Sequence, residues 1–283
     1  MTSMTPRKKE FPVEFFNFES SSFTSFLETR LPNLLPWQQA EVAGGVRADE
    51  GIPHGTTIVA LKCAGGVVVA GDRRATMGNV IAQRDAEKVY PADEYSVVAY
   101  AGASGMGIEM IKLFQVELEH YEKLESRSMS FQGKANRLAT LLRNNMSLAV
   151  AGLVVIPIFA GYDEETGRGR IVGYDYTGGR YEERDYHGVG SGSTFALNSL
   201  KKLYRSDMSP DEAVLAAVHA LYDAADDDTA TGGPDLTRNL FPIIATVTAD
   251  GYRRLEHDEV AAIATAIVEE RMGDPAGPRA PLR

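Results

Sequence analysis

The fold is decided by the stretch Gly55-Thr-Thr-Ile-Val-Ala-Leu-Lys-Cys-Ala-Gly-Gly-Val-Val-Val-Ala-Gly-Asp72. Two short apolar, β-branched runs flank a glycine pair at 65–66, and this pattern predicts a β-hairpin over 56–72. Further strands are predicted at 88–90, 95–101, 157–162, 170–174 and 241–248, and helices at 105–124, 133–151, 193–204, 211–223 and 256–271. Hairpins favour antiparallel sheets, so we expect an α+β fold: a four-layer αββα sandwich of two antiparallel sheets flanked by helix pairs.

The composition indicates a globular protein of the cytosol. The chain has 283 residues, of which 44% are hydrophobic, and its 39 acidic and 29 basic side chains give a formal net charge of −10. An acidic surface repels phosphate groups, which disfavours binding to nucleic acid or to an anionic membrane. The single cysteine, Cys63, excludes an internal disulfide and a multi-cysteine zinc site. We therefore expect a cytoplasmic protein with no nucleic-acid and no membrane partner.

The beginning of the chain differs from the rest. Six of the eleven phenylalanines lie within residues 1–26, yet this stretch has neither helical nor strand periodicity. Glu14 and Glu19 interrupt its apolar positions, so it does not match the continuous apolar core of a secretory signal. The longest apolar run, 148–161, is too short to span a bilayer. That run predicts the end of a helix followed by a buried strand.

Several familiar motifs are absent from the sequence. The segments 102–106 and 190–193 do not match the nucleophile elbow of serine hydrolases, and no lysine follows a glycine-rich loop as it does in phosphate-binding loops. The acidic run 226–228 lacks the glycine and the closing glutamate of a calcium loop. The histidines are scattered without metal-ligand spacing. We expect neither a metal nor a cofactor.

The junction just before the hairpin favours a different chemistry. A hydroxyl needs an adjacent base to act as a nucleophile, and a threonine at a chain terminus carries one in its own α-amino group. That amine has a reference pKa of about 7.7–8.0, close to neutrality. Cleavage between Gly55 and Thr56 would create such a terminus, and Gly55 places no side chain beside the bond. Taken alone, the same residues are more typical of a simple entry into a strand.

Three further features strengthen the hypothesis of a threonine nucleophile. Asp72 ends the second predicted hairpin strand, next to the start of the first, and so brings a carboxylate near Thr56. Lys88 begins a later strand, where Asp72 would hold it protonated and thereby favour the deprotonated hydroxyl. The segment 101–105 passes from a strand into a helix, where backbone N–H groups can bind a developing oxyanion.

These residues belong to a larger set that carries a family resemblance. The set consists of Gly55-Thr-Thr-Ile-Val59, Gly71-Asp-Arg-Arg-Ala-Thr76, Lys88-Val-Tyr90, Ala101-Gly102, Gly188-Val-Gly-Ser-Gly-Ser193 and Asp228-Thr-Ala-Thr-Gly-Gly233. In this order and spacing, the chain from Thr56 to about Arg271 resembles the β subunits of the 20S proteasome, and segments 120–125 and 221–228 are similar to the bacterial type. The resemblance implies the fold of the N-terminal-nucleophile (Ntn) hydrolases. It also implies a threonine endopeptidase that degrades unfolded proteins inside a closed chamber.

The resemblance implies a role for each matching residue. Thr56 would be the nucleophile and its freed amine the base, with Asp72 and Lys88 as the charged pair beside it. Gly102 would supply the oxyanion hole, and the polar network around the amine would be completed by Ser191, Asp228 and Thr231. Thr231 departs from the serine most common in the family but keeps the hydroxyl. Substrate-binding positions would be Ala75, Thr76, Ala86, Tyr100 and Ser104, of which Thr76 would bind the substrate backbone as an added strand. The small Ala75 and Ala86 favour apolar side chains before the cut.

The resemblance also implies a division of the chain and a set of partners. Residues 1–55 would be a propeptide that is removed autocatalytically, 56–271 the Ntn-hydrolase catalytic domain, and 272–283 a flexible C-terminal tail. Expected partners are proteasome α subunits and other β subunits in four stacked heptameric rings. A regulatory ATPase ring would bind through the α rings and deliver unfolded proteins or proteins tagged with a ubiquitin-like modifier.

Three alternatives stay open at this point. The first is the simpler two-ring bacterial threonine peptidase of the same superfamily, which begins similarly; the long leader and segment 228–233 argue against it. The second is a non-catalytic structural ring subunit, which predicts loss of the nucleophile, the lysine or the processing glycine, all of which are present. The third is an amidase of the same fold that acts on small amides.

Overall fold

The computed structural model describes residues 55–279. The predicted propeptide, except Gly55, and the last four residues of the predicted tail lie outside the described residues. The strands are β1 (Thr57–Cys63), β2 (Gly66–Gly71), β3 (Ala75–Met77), β4 (Val80–Gln83), β5 (Val89–Asp93), β6 (Ser96–Gly102), β7 (Val155–Asp163), β8 (Arg168–Tyr174), β9 (Arg180–Glu183), β10 (Tyr186–Gly190), β11 (Ile243–Thr248) and β12 (Gly251–Arg254). The helices are α1 (Ser104–Glu125), α2 (Phe131–Asn144), α3 (Met146–Val150), α4 (Ser193–Leu203), α5 (Pro210–Asp227) and α6 (His257–Gly273).

The predicted β1–β2 hairpin is confirmed and forms the centre of the first sheet. The two strands pair antiparallel from Ile58 opposite Gly71 to Cys63 opposite Gly66. Gly65 in the turn has φ +77°, a conformation that glycine adopts without steric cost. β10 pairs with β1 and β11 with β2, which gives a sheet of order β10-β1-β2-β11-β12. The second sheet has the order β5-β6-β7-β8-β9, and its pairings are also antiparallel.

Alternation along the strands divides the core into three apolar layers. In β1, Ile58 and Ala60 lie in the layer between the two sheets, whereas Val59 and Leu61 pack with α4, α5 and α6. The second sheet alternates in the same way, with one face on the shared layer and the other on α1 and α2. The expected four-layer αββα sandwich, the architecture of the Ntn hydrolases, is confirmed. A third helix, α6, adds to the apolar layer outside the first sheet and contacts α5.

One predicted helix is divided in the structure. The sequence pattern predicts a continuous helix over 133–151, but α2 ends at Asn144 and the short α3 follows. The cause is Asn145, whose side-chain Nδ2 donates to the Leu141 carbonyl at 2.8 Å. Its backbone N–H is shared between the carbonyls of Leu141 and Leu142. An asparagine that binds nearby carbonyls in this way competes with the regular helical pattern.

The structure also contains short strands that the sequence pattern does not predict. These are β3, β4, β9, β10 and β12, each of three to five residues. β3 and β4 form a separate two-stranded hairpin. After α6, Arg271 Nη1 donates to the Pro275 carbonyl at 3.1 Å, and the flexibility of residues 272–283 stays a prediction. Within residues 55–279, no helix combines the length and apolarity needed to cross a membrane.

Candidate active site

The site lies where the first sheet begins, because Thr56 immediately precedes β1. The backbone of Gly190, at the end of β10, lies so close that a Cβ there would be 1.7 Å from the Thr56 carbonyl oxygen. Ser191 N–H donates to that oxygen at 2.9 Å. Asp72, which follows the second strand of the hairpin, donates its N–H to the Thr57 carbonyl at 3.0 Å. The ends of three paired strands therefore fix Thr56 in place.

Gly55 and Thr56 are arranged for chemistry at the bond between them. The Thr56 hydroxyl donates a short hydrogen bond to the Gly55 carbonyl oxygen, and Thr56 is only 4% exposed. Gly55 has φ +96°, and a Cβ there would lie 2.5 Å from Thr76 Oγ1 and 3.1 Å from the Ala230 carbonyl. No other residue fits this position without displacing its neighbours. The predicted nucleophile thus lies against the carbonyl of the predicted cleavage site.

Asp72 is a fully buried carboxylate with four hydrogen-bond donors around it. Its Oδ1 accepts from the backbone N–H of Thr57 at 2.8 Å and from Lys88 Nζ at 2.7 Å. Its Oδ2 accepts from the backbone N–H of Arg74 at 2.9 Å and of Gly232 at 2.8 Å. An ionised carboxylate has room for four such bonds and no proton to place among them. The surroundings of Asp72 are therefore built for the charged form.

Lys88 lies just before β5 and is 2% exposed. Its Nζ donates to Asp72 Oδ1, to the Gly55 carbonyl at 3.2 Å and to the Arg74 carbonyl. Burial lowers the pKa of Lys88, and the negative charge of Asp72 opposes this effect. Three acceptors surround Nζ, and only an ammonium can donate to all three at once. The geometry thus favours the ammonium form of Lys88 and directs one N–H at the carbonyl of the predicted cleavage site.

A second polar network is centred on Asp228. Its Oδ2 accepts from Ser191 Oγ and from Thr231 Oγ1, both at 2.6 Å, and its Oδ1 accepts from the Ala230 N–H at 3.1 Å. Burial opposes ionisation of Asp228, but these hydrogen bonds outweigh it and lower its pKa. The structure therefore brings together Ser191, Asp228 and Thr231, as the resemblance predicts.

Thr57 completes this network and was missed by sequence reasoning. Its Oγ1 lies 2.6 Å from Thr231 Oγ1 and accepts from the Gly192 N–H at 3.0 Å. Because Thr231 gives its only hydroxyl proton to Asp228, Thr57 must be the donor to Thr231. The partners of the Thr57 hydroxyl are more than 130 residues away in the chain, so no local pattern could have identified this role.

The predicted oxyanion-hole residue lies at the end of β6. Gly102 has φ +113°, and a Cβ there would lie 2.0 Å from the Val154 carbonyl oxygen. The next residue, Ala103, donates its N–H to that same oxygen at 2.8 Å, and α1 begins at Ser104. Between Gly102 and Thr56 the described residues show no direct hydrogen bond, so the oxyanion role stays a prediction.

Three of the five predicted substrate-binding residues are buried. Thr76 contacts Gly55, as described above, whereas Ala75, Ala86 and Tyr100 are 2%, 5% and 2% exposed. Tyr100 packs in the core between the second sheet and α1, and its Oη donates to the Ser104 carbonyl at 3.3 Å. The contributions of the five residues to substrate specificity stay predictions.

The architecture and the site define a class of protein. An αββα sandwich with a threonine at the start of its first strand, beside a buried lysine–aspartate pair, is an Ntn-hydrolase arrangement. A family model described as proteasome subunit matches residues 52–235, and the chain belongs to that family. Relatives named proteasome subunit beta include one from Streptosporangium roseum, 57% identical over 95% of both chains, and one from Streptomyces griseus, 52% identical over the whole of both. A third, from Frankia casuarinae, is 54% identical over 94% of this chain and 96% of its own.

Proposed function

We propose that the chain is a catalytic β-type proteasome subunit, a threonine endopeptidase that matures by cleavage between Gly55 and Thr56. The observation that carries the proposal is the convergence of two groups on one atom: Thr56 Oγ1 and Lys88 Nζ both donate to the Gly55 carbonyl oxygen. The relatives of similar length, all named proteasome subunit beta, support the same function. They favour it over the two-ring peptidase and the small-amide amidase, and the contacts of Thr56 and Lys88 favour it over the structural subunit.

Maturation follows from the contacts of the intact junction. Thr56 Oγ attacks the Gly55 carbonyl carbon, and the Lys88 ammonium stabilises the negative charge that develops on the carbonyl oxygen. The C–N bond then breaks, and the Thr56 nitrogen takes the proton that the hydroxyl has lost. The Gly55 acyl group is left as an ester on Thr56 Oγ. Water hydrolyses the ester, so residues 1–55 leave with a new carboxylate and Thr56 gains a free α-amino group.

Peptide hydrolysis repeats these steps on a substrate bond. The free amine of Thr56 takes the hydroxyl proton, through a water, as the oxygen attacks the peptide carbonyl. The Asp72–Lys88 pair favours the negatively charged oxygen, and the Gly102 N–H supplies the oxyanion hole. The Thr56 amine returns the proton to the peptide nitrogen, the amine side of the peptide leaves, and water then releases the acyl group from Thr56 as a carboxylate. Ser191, Asp228 and Thr231 hold the network beside the amine.

Membership of the proteasome family implies assembly with other proteasome subunits. In this proposal the partners are α subunits and further β subunits in stacked heptameric rings. An ATPase ring on the α rings supplies unfolded proteins or proteins tagged with a ubiquitin-like modifier. Enclosure confines a protease of broad specificity, which is consistent with the expected cytoplasmic location.

The Thr56→Ala variant, assembled with its α-type partner, tests the proposal. It should remain unprocessed and should not cleave fluorogenic peptides, while its circular dichroism spectrum stays that of the wild type. Thr194→Ala is a matched control, because Thr194 is an exposed threonine in the first turn of α4. Peptide cleavage by the Thr56→Ala particle would refute the assignment of the nucleophile.

A further inference from the structure

A cationic cavity lies beside the candidate active site and has no part in the mechanism above. Its volume is about 170 Å³, and it lies between the β3–β4 hairpin and the loop from Gly232 to Pro242. Four guanidinium groups line it: Arg73, Arg74, Arg84 and Arg238. In a chain with a net charge of −10, this concentration of positive charge needs an explanation.

Within residues 55–279, three of the four arginines that line the cavity have no salt-bridge partner. The one acidic lining residue, Asp235, is already bound by Arg238 Nη1 at 2.9 Å. Among residues 55–279, no carboxylate lies within salt-bridge distance of the Arg73, Arg74 or Arg84 guanidinium. Arg73 and Arg74 donate instead to the carbonyls of Asp85 and Thr229.

One donor in the lining is buried and unsatisfied. Arg73 Nε has no hydrogen-bond partner among the described residues. Leaving a buried N–H without a partner costs free energy, so the Arg73 guanidinium favours an acceptor that none of the described residues supplies. Guanidinium groups bind carboxylates in a planar, two-pronged geometry, so the acceptor that fits best is a carboxylate.

Three lining residues connect the cavity to the candidate active site. Arg74 and Gly232, which both line it, each donate a backbone N–H to Asp72 Oδ2. Ile81, another lining residue, pairs with Thr76 in the β3–β4 hairpin, and Thr76 contacts Gly55. An extended peptide advances about 3.3 Å per residue, so we expect the cavity to receive a side chain from within a few residues of the cleaved bond.

We propose that this cavity is a subsite for an acidic side chain of the peptide substrate, bound close to the scissile bond. The inference rests on the proposed peptidase function. It adds a preference for substrates with an acidic side chain, which the reaction chemistry does not require. Arg84 is an exposed lining residue of the cavity, so its charge is accessible to an incoming carboxylate. The subsite raises kcat/KM for peptides that carry glutamate at the position whose side chain enters the cavity.

The test uses assembled particles and a set of fluorogenic peptides. Each peptide carries one glutamate or one glutamine, placed in turn from the third residue before to the third residue after the cleaved bond. The wild type should cleave one glutamate peptide at least about threefold better than its glutamine counterpart, the scale expected for an accessible ion pair. Arg84→Gln should remove this ratio, Arg84→Glu should invert it, and raising the salt concentration should reduce it.

Arg180→Gln serves as the matched control, because Arg180 is an exposed arginine on β9, the edge strand of the second sheet. It should leave the glutamate-to-glutamine ratio unchanged. If wild-type particles cleave the glutamine peptides but show no glutamate preference at any position, the subsite is refuted while the peptidase function stands. If Arg84→Gln instead slows ring assembly, and the particles that do form keep the wild-type ratio, the cavity binds a carboxylate of a neighbouring chain, and the inference is equally refuted.

Discussion

Replacing Lys88 by methionine separates the chemistry of the junction from the stability of the fold. Methionine has a similar length and keeps the buried packing, but it removes the N–H that Lys88 directs at the Gly55 carbonyl. Loss of one donor to a developing oxyanion typically costs about 2.7–4 kcal/mol, or roughly 100-fold to 1,000-fold in rate. We therefore expect processing of the Gly55–Thr56 bond to slow at least about 100-fold.

The structure predicts that Lys88→Met lowers the free energy of unfolding by less than the loss of a buried ion pair usually does. Breaking a buried ion pair commonly costs about 3–5 kcal/mol, because the remaining charge is left without a partner. Asp72 keeps the backbone N–H groups of Thr57, Arg74 and Gly232, so its charge is still solvated by the protein. The loss in the free energy of unfolding should fall below that range, and urea unfolding measures it.

The assay follows the fraction of processed chain over time by intact mass spectrometry after assembly begins. Lys134→Met is the control, since Lys134 is another buried lysine paired with an aspartate, Asp93, at 2.6 Å. Lys134 lies on α2, away from the junction, and its loss should leave the processing rate per assembled particle unchanged. Processing of Lys88→Met at the wild-type rate would refute the role given to the ammonium.

Further predictions concern the network around Asp228 and the turn at Gly102. Thr57→Val should lower kcat/KM about tenfold, the scale of one lost buried hydrogen bond, whereas Thr57→Ser should retain most activity; equal activity of both variants would contradict the network. Thr231→Ser keeps the hydroxyl and should change kcat/KM by less than about threefold, whereas a large loss would mean that the methyl group matters. The pKa of Asp228 is lowered in the fold, so Asp228 adds stability that is fully present above about pH 5 and lost as the pH falls through its native pKa. Asp228→Asn should therefore flatten the fall in unfolding free energy below pH 5 in urea titrations, and an unchanged acid dependence would contradict this. Gly102→Ala should lower the melting temperature measurably, because its Cβ would lie 2.0 Å from the Val154 carbonyl; an unchanged Tm would show that the backbone there relaxes freely.

Local patterns in the sequence predict most of the regular structure, because apolar periodicity reflects which face of each element is buried. The β1–β2 hairpin and the two antiparallel sheets follow from that signal. Strand β9, with the sequence Arg-Tyr-Glu-Glu, has no buried face to create alternation and could not be predicted in this way. The break at Asn145 depends on a side-chain hydrogen bond that apolar periodicity does not encode.

Some residues of the site are close in the sequence, whereas others are brought together only by the folded structure. Gly55, Thr56 and Asp72 lie in or beside one hairpin, so their proximity follows from the predicted pairing. The contact between Thr57 and Thr231 joins residues 174 positions apart, and only the assembled sandwich brings them together. The arginine cavity is equally non-local, since it lies between the β3–β4 hairpin and a loop close to the end of the chain.

The mass of the chain in active particles tests the central claim most directly. Intact mass spectrometry of assembled particles that cleave peptides should find a chain that begins at Thr56, with its 228 residues and a free α-amino group. The Thr56→Ala particles should carry an uncut bond after Gly55. An active particle whose chain still begins at Met1 would contradict the account, because Thr56 would then have no amine to act as the base.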